Sequence, residues 1–343
     1  MIPRERIKAI YDGKPADRPG FWLGHPHEET RKNLYEYFGV DTDDAVRQIV
    51  GDDCRWIAAD WSCYRHPEGI PLFDPMYGIG SRTSLGQPGC FANCEDESEL
   101  DDYPWPDASY IDLVPIRNWS ERNSEYALFG GASSCFFHVV AEFFGMENYF
   151  MKMYTNPNIV HAVARRVVDF HLAVNRRVFS EARDTVDVFF FFNDFGTQED
   201  LFVSPAMFRE FVLPYFKELI DLAKSFGVYS QLHSCGAVSK VIPMLVEAGM
   251  DGLHPLQAKA KGMAAENLAR DFKGKIVFVG GVDTQELMWR GTPQKVKDEV
   301  SRLRDVFGER WIISPSHEVL MPEVPVENII ALCEAATGLS LKS

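Results

Sequence analysis

Short apolar runs in this chain are followed, one after another, by longer stretches whose apolar residues recur every three or four positions. That alternation leaves few folds open. It is clearest in the second half. Thr185–Phe192 is a near-continuous apolar run rich in Val and Phe, as expected of a strand covered on both faces. Before it, 156–183 has helical spacing, with Ile159, Val163, Val167, Phe170 and Val174 on one face. Arg165, Arg166, Arg176 and Arg177 read as its solvated side. After the run, Ser204-Pro205 supplies an N-cap and a first-turn proline to a helix predicted to reach Phe226. Strands are predicted at 228–232, 252–255, 275–279 and 311–314, and helices at 238–248, 292–307 and 326–336. In the first half, 19–23, 53–58 and 126–131 complete the strand set.

Strands separated by helices imply right-handed parallel crossovers. Eight strands, each followed by a helical stretch, is the count of a (β/α)8 barrel. The expected fold class is therefore α/β, a single (β/α)8 TIM barrel over 1–343 as one domain. A long loop insertion after strand two is expected at 62–118, where Pro, Gly, Asp and Tyr are frequent, lying over the barrel mouth. An open doubly wound sheet is the rival. Its phosphate turn has only Gly280-Gly281 to draw on, without the GxGxxG spacing.

Charge narrows the function. With 50 acidic and 35 basic residues, a formal net charge of −15 argues against duplex nucleic acid and against a polybasic grip on membrane. No run of eighteen apolar residues exists, and the N-terminus lacks the apolar core of a signal peptide. Seven scattered cysteines, an odd number, are not a secreted disulfide framework. The location expected is the reducing cytoplasm, with thiols free for metal or chemistry. Cys90 and Cys94 read as loop thiols.

In such a barrel the active site lies at the C-terminal strand ends. Those ends deliver His25 and His27, then Asp60 and Trp61, then Ser133 and Ser134, then Asn193 and Asp194. The later strands deliver His233-Ser-Cys235, His254 with Gln257, Gly281 with Asp283, and Ser316-His317-Glu318. The sharpest constellation is His233, Cys235 and His317. Residues i and i+2 at a strand end point to one side, so an imidazole and a thiol share a face, and strand eight brings His317 across the mouth. One sulfur and two nitrogens make a three-ligand zinc site with an open position. The plain alternative is histidines hydrogen-bonded to backbone. Asp60, Asp194 and Asp283 form a second group, as proton-transfer groups or as helix caps. Asp283-Thr-Gln-Glu286 has the look of a cap. Asp194, emerging from the Phe189–Phe192 wall, reads as functional. His25, His27, Asn193, His254 and Gln257 are the expected substrate contacts.

These residues carry a resemblance. Lys14-Pro-Ala-Asp-Arg-Pro19, Phe208-Arg-Glu-Phe-Val-Leu-Pro-Tyr-Phe216, Gly280-Gly-Val-Asp283, Gly291-Thr-Pro293 and Ser314-Pro-Ser-His317, followed by Pro325 and Glu327-Asn-Ile329, are similar to segments of the uroporphyrinogen decarboxylase superfamily. The family fold implied is again a (β/α)8 barrel. The resemblance implies one of two chemistries. The decarboxylases act without cofactor and open with an arginine-rich segment that grips substrate carboxylates. Here that stretch is Phe21-Trp-Leu-Gly-His-Pro-His-Glu-Glu-Thr30, with two acids and no arginine, and His138-Val139 stands where the decarboxylases have a tyrosine. The other branch, cobamide-dependent methyltransferases, holds zinc through His-x-Cys after strand five and a Cys after strand eight. Leu232-His-Ser-Cys-Gly236 is similar to the first part, and His317 aligns with the third ligand.

The expected function is accordingly zinc-dependent methyl transfer between a corrinoid on a separate protein and a small-molecule thiol or methyl donor. The chain carries no corrinoid domain of its own. A second copy of the chain, as a homodimer, is the other expected partner. The alternatives are a cofactor-free decarboxylase of a tetrapyrrole or smaller carboxylate, with Asp60 or Asp194 as the acid, and a non-catalytic corrinoid- or tetrapyrrole-binding protein.

Overall fold

The computed structural model describes every residue except 82, 85, 183, 342 and 343. Eight strands run in chain order as β1 Gly20–Phe21, β2 Cys54–Ala58, β3 Ala127–Gly131, β4 Val188–Phe192, β5 Tyr229–His233, β6 Gly252–Leu256, β7 Val277–Gly280 and β8 Trp311–Ile313. All seven ladders are parallel, in the order β1-β8-β7-β6-β5-β4-β3-β2. Helices follow the strands on the outside, giving the (β/α)8 barrel.

The remaining join, between β1 and β2, is made differently. The Asp53 N–H donates to Phe21 O at 2.9 Å, and Asp53 Oδ2 accepts the Phe21 N–H at 2.8 Å. Asp52 Oδ2 accepts the Leu23 N–H at 3.2 Å. Side-chain carboxylates thus do the work of a ladder. Burying them requires partners: Arg6 and Arg18 meet Asp53 at 2.6 and 2.8 Å, and Arg47 meets Asp52 at 2.6 Å.

Two apolar layers hold the barrel. The outer layer lies between the sheet and the helices and includes Phe189, Phe191, Phe216, Leu232, Leu253 and Phe278. The inner layer joins Cys54, Phe129, Val188, Phe190, Val277 and Ile312 to Ile7, Ile10 and Tyr11 of the helix Pro3–Tyr11, which stops the bottom of the barrel. Strand β4 shows the alternation: Phe189 and Phe191 face outward to the helices while Val188 and Phe190 face inward.

Several expected boundaries move for local reasons. Strand β4 starts at Val188 because Asp187 turns its carboxylate to the Leu128 N–H and to Arg4. The helix predicted over 204–226 is two helices, Pro205–Phe211 and Leu213–Ser225, since Pro214 has no N–H to bond back to Glu210 and fits only the first turn of a new helix. The helix after β5 begins at Ile242, where Pro243 sits in the first turn. The long helix spans Pro157–Glu181; its predicted end, Arg183, lies outside the described residues.

Between β2 and β3, the stretch predicted as loop ends in a helix, Val114–Arg122, and carries two short 3-10 turns, Glu97–Leu100 and Ala108–Tyr110. Its buried rings face the outer helices, with Phe91 and Tyr103 each 5.1 Å from Phe143, and Phe73 5.2 Å from Phe170. The ordering force there is aromatic packing. Among the described residues no helix is long and apolar enough to cross a membrane.

Candidate active site

The turns after β4 and β5 bring the reactive groups together. Gly236 has φ +88°, and a Cβ on it would sit 2.3 Å from Gly196 O. A Cβ on Gly196 would sit 2.8 Å from the Ala237 N–H nitrogen. Two glycines therefore let the turns nest, sealed by the Ala237 N–H to Thr197 O bond of 2.8 Å. The consequence is chemical. Asp194 Oδ1 accepts the Cys235 N–H at 2.7 Å, and His233 Nε2 lies 3.5 Å from Asp194 Oδ1 and 3.5 Å from Cys235 Sγ.

The other edge of the same ring is also occupied. His233 Nδ1 is 3.1 Å from His254 Nδ1 and 3.7 Å from Glu318 Oε2. His233 thus belongs to two three-donor groups, one with Asp194 and Cys235, the other with His254 and Glu318. Phe192 stacks on its face, with ring centroids 4.5 Å apart.

Electrostatics follow from burial and neighbours. Burial would raise the Asp194 carboxyl, but the His233 hydrogen bond and charge prevail and pull it down to about 2. Burial, then the Asp194 and Glu318 charges, push the Cys235 thiol well up, so on its own it keeps its proton. Burial, assisted by Arg47, drives His25 down to about 4. Burial also lifts Asp60 to about 6 against its hydrogen bonds from Ser133 and Trp61.

The expected site residues part company here. His233, Cys235, Asp194 and His254 are brought together. His317 is in neither donor group: its Nδ1 accepts the Val319 N–H at 3.1 Å, and the next residue, Glu318, reaches inward instead. Asp60 is buried and pins the end of β3, accepting the Ser133 N–H and Oγ–H at 2.9 and 2.7 Å. Asp283 caps, accepting the N–H groups of Gln285, Glu286 and Leu287 at 3.0, 3.2 and 3.2 Å. His27 is exposed and takes the Glu29 N–H at 3.3 Å, as the N-cap of the helix Glu28–Phe38. Asn193 is buried between Phe137 N–H and Ser134 O. Gln257 holds Gly236 N–H at 3.0 Å and Gln198 at 2.7 Å. His25 lies between Trp22 and Trp56, at 5.4 and 5.2 Å.

Beside the histidines, at the ends of β6 to β8, a cavity of about 510 Å³ opens. Trp289, Val319, Met321 and Val324 form its apolar wall, and Gln257, Ser316 and His317 its polar end. Three contributors escaped the sequence reading as site residues: Glu318, Trp22 and Phe190. Glu318 had a signal, its place directly after His317 at a strand end. Trp22 and Phe190 are ordinary inward strand residues whose closeness to His254, 4.6 and 5.9 Å between ring centroids, comes only from closure of the barrel.

The family described as Uroporphyrinogen decarboxylase (URO-D) matches residues 116–339, more than half of the chain. Methylcobamide:CoM methyltransferase MtbA of Methanosarcina acetivorans is 23% identical over 314 residues, 89% of each chain. Uroporphyrinogen decarboxylase of Chlorobium limicola is 23% identical over 218 residues, covering 60% of this chain and 57% of its own. A solved methyltransferase from Methanosarcina mazei superposes with a TM-score of 0.71 at 17% identity, covering 98% of this chain and 99% of the other. That likeness is one of fold.

Proposed function

Since the chain belongs to the uroporphyrinogen decarboxylase family of enzymes, we propose that it is a zinc-dependent methyltransferase. In this reading it moves a methyl group between a corrinoid carried by a separate protein and a small-molecule thiol or methyl donor. The carrying observation is the convergence of His233 Nε2, Cys235 Sγ and Asp194 Oδ1 on one point at the barrel mouth.

The donor set fits zinc. Nitrogen, sulfur and oxygen are its usual ligands, and bonds of about 2.0–2.3 Å in a tetrahedron separate ligand atoms by about 3.3–3.7 Å. The 3.5 Å spacings from His233 Nε2 match that. Two buried atoms of the cluster, His254 Nε2 and Glu318 Oε2, lack hydrogen-bond partners. A thiol pushed up by burial and by two carboxylates also calls for a cation to release its proton. When bound, zinc would keep a substrate thiol ionised at neutral pH or polarise a methyl donor.

The chain's own residues do the rest. The Cys235 N–H fixes the Asp194 carboxylate, either to hold the cation or to take up the proton that the acceptor thiol releases. The apolar wall at Trp289 and Met321 keeps water from one side of the substrate. The methyl-transfer relative spanning 89% of this chain supports the same reading. Decarboxylation of a polycarboxylate is disfavoured, because the carboxylates of Asp194 and Glu318 lie 3.5 and 3.7 Å from the His233 ring.

The test uses purified protein with methylcobalamin as donor and coenzyme M as acceptor, and separately with uroporphyrinogen III. About one zinc per chain, thiol methylation and no decarboxylation are expected. Coproporphyrinogen formation by a zinc-free preparation would overturn the proposal.

A further inference from the structure

The cavity at the ends of β6 to β8 limits what kind of molecule can fill it. Its polar end is joined to the thiol-bearing turn, because Gln257 Oε1 accepts the N–H of Gly236, the residue after Cys235, at 3.0 Å. Beyond that end the wall is apolar. Val324 is buried, and Trp289 and Met321 keep 42% and 49% of their surface exposed. The volume of about 510 Å³ admits a substituted ring, since pockets of roughly 300–1,000 Å³ enclose most of a drug-sized ligand.

Charge narrows the choice further. Among the described residues, Lys259 is the one lysine or arginine in the lining, and it is already paired. Its Nζ lies 2.7 Å from Glu286 Oε2 and 3.9 Å from Asp283 Oδ2. Glu318 Oε2 stands 3.8 Å from His317 Nδ1, and Glu323 adds an exposed carboxylate. A sulfonate or carboxylate tail would leave water for a lining without a free cation to receive it. A cationic tail would need the indole, and the Arg290 guanidinium already lies 3.9 Å from the centre of the Trp289 ring.

We infer that this cavity takes the uncharged, apolar body of the methyl acceptor, an arylalkyl thiol, with its sulfur at the Gln257 end beside Cys235. The inference rests on the proposed methyl transfer for the thiol, and on the cavity alone for the uncharged body. The reaction balances. The thiol sulfur gains the methyl group and loses its proton, and the electron pair of the broken carbon–cobalt bond stays on cobalt.

The test compares two alkyl thiols, phenylmethanethiol and coenzyme M, with methylcobalamin as donor. The uncharged thiol should have a KM lower by about tenfold or more. Trp289→Ala should raise that KM about tenfold and change the value for coenzyme M less. Glu286→Gln, which releases Lys259, should lower the KM for coenzyme M roughly threefold. Coenzyme M as the better acceptor of the wild type overturns the inference, and so does a Trp289→Ala that handles both thiols as before. Binding is read separately in zinc-free protein, by saturation-transfer NMR of phenylmethanol, the unreactive alcohol analogue. The signal should be present in the wild type and lost in Trp289→Ala. No signal, or one that survives the substitution, sinks the cavity assignment even where methyl transfer proceeds. Phenylmethanol bound through Trp289 in a chain that methylates neither thiol would refute the proposed function and leave the uncharged-ligand assignment standing.

Discussion

The Asp194 carboxylate is tied to Cys235 by a backbone N–H bond of 2.7 Å, so the end of β4 and the thiol-bearing turn of β5 form one unit. Asp194 caps no helix, which separates it from Asp283 and its three N–H partners. Asp194→Asn should therefore still fold, at a cost of roughly 2–3 kcal/mol at neutral pH from the lost carboxylate charge beside His233. Methyl transfer should slow by roughly 10²-fold or more, the scale for a lost proton-transfer group. Thermal melting and steady-state kinetics check this together; unchanged turnover would remove Asp194 from the mechanism.

The same carboxylate predicts an acid limit. Its pKa is held near 2 in the folded chain, below the ordinary value of about 3.9. A depressed folded value adds stability that is complete above the unfolded value and is lost as pH falls through the folded one. The stability gap between wild type and Asp194→Asn should accordingly shrink from pH 4 toward pH 2. Denaturant titrations at both ends would expose a gap that stays constant.

Asp60 has the opposite sign. Burial lifts its folded value to about 6, so its protonated form is the one the fold favours. The stability it contributes is present below about pH 4 and is lost as pH rises through 6. Asp60→Asn does not titrate. It should gain on wild type by roughly 2–3 kcal/mol between pH 4 and 7, read as a pH-dependent difference in denaturation midpoint.

Cys235 and His317 should separate cleanly. Cys235→Ala is expected to lose zinc, measured by metal analysis after dialysis. His317→Ala is expected to keep it, because His317 Nδ1 is engaged by Val319 and the ring lines the neighbouring cavity. Its effect should fall on KM. Zinc loss in His317→Ala would restore the ligand role expected from the sequence.

At the β1–β2 join, Asp53→Ala should destabilise the fold by about 3–5 kcal/mol, since Arg6 and Arg18 lose their common buried partner. Urea unfolding measures it. A loss below 1 kcal/mol would mean that the carboxylate is dispensable to closure.

The strands were legible because their signal is local: most are short, largely apolar runs bounded by turns (β5, Tyr-Ser-Gln-Leu-His, is the polar exception), and all eight lie where the pattern predicted them. Strand ends then named most of the mouth, including His233, Cys235 and Asp194. What escaped depends on three-dimensional closure. Nothing in Ser316-His317-Glu318 says which of two adjacent polar side chains turns inward, since that is fixed by the Val319 N–H capturing His317. Nor does spacing tell a carboxylate that caps from one that joins a donor group. Asp283 and Asp194 occupy equivalent strand-end positions, and only the N–H groups that follow Asp283 distinguish them.

The way the barrel closes has a mechanical consequence. Seven joins are backbone ladders, indifferent to salt and to the charge of side chains, whereas the eighth is a clasp of carboxylates and guanidinium groups beside a strand of only two residues. That join alone therefore depends on the ionisation of side chains. Opening at β1–β2 would widen the mouth beside β8 while β4, β5 and β6, which carry the Asp194–His233–His254 cluster, stay in register.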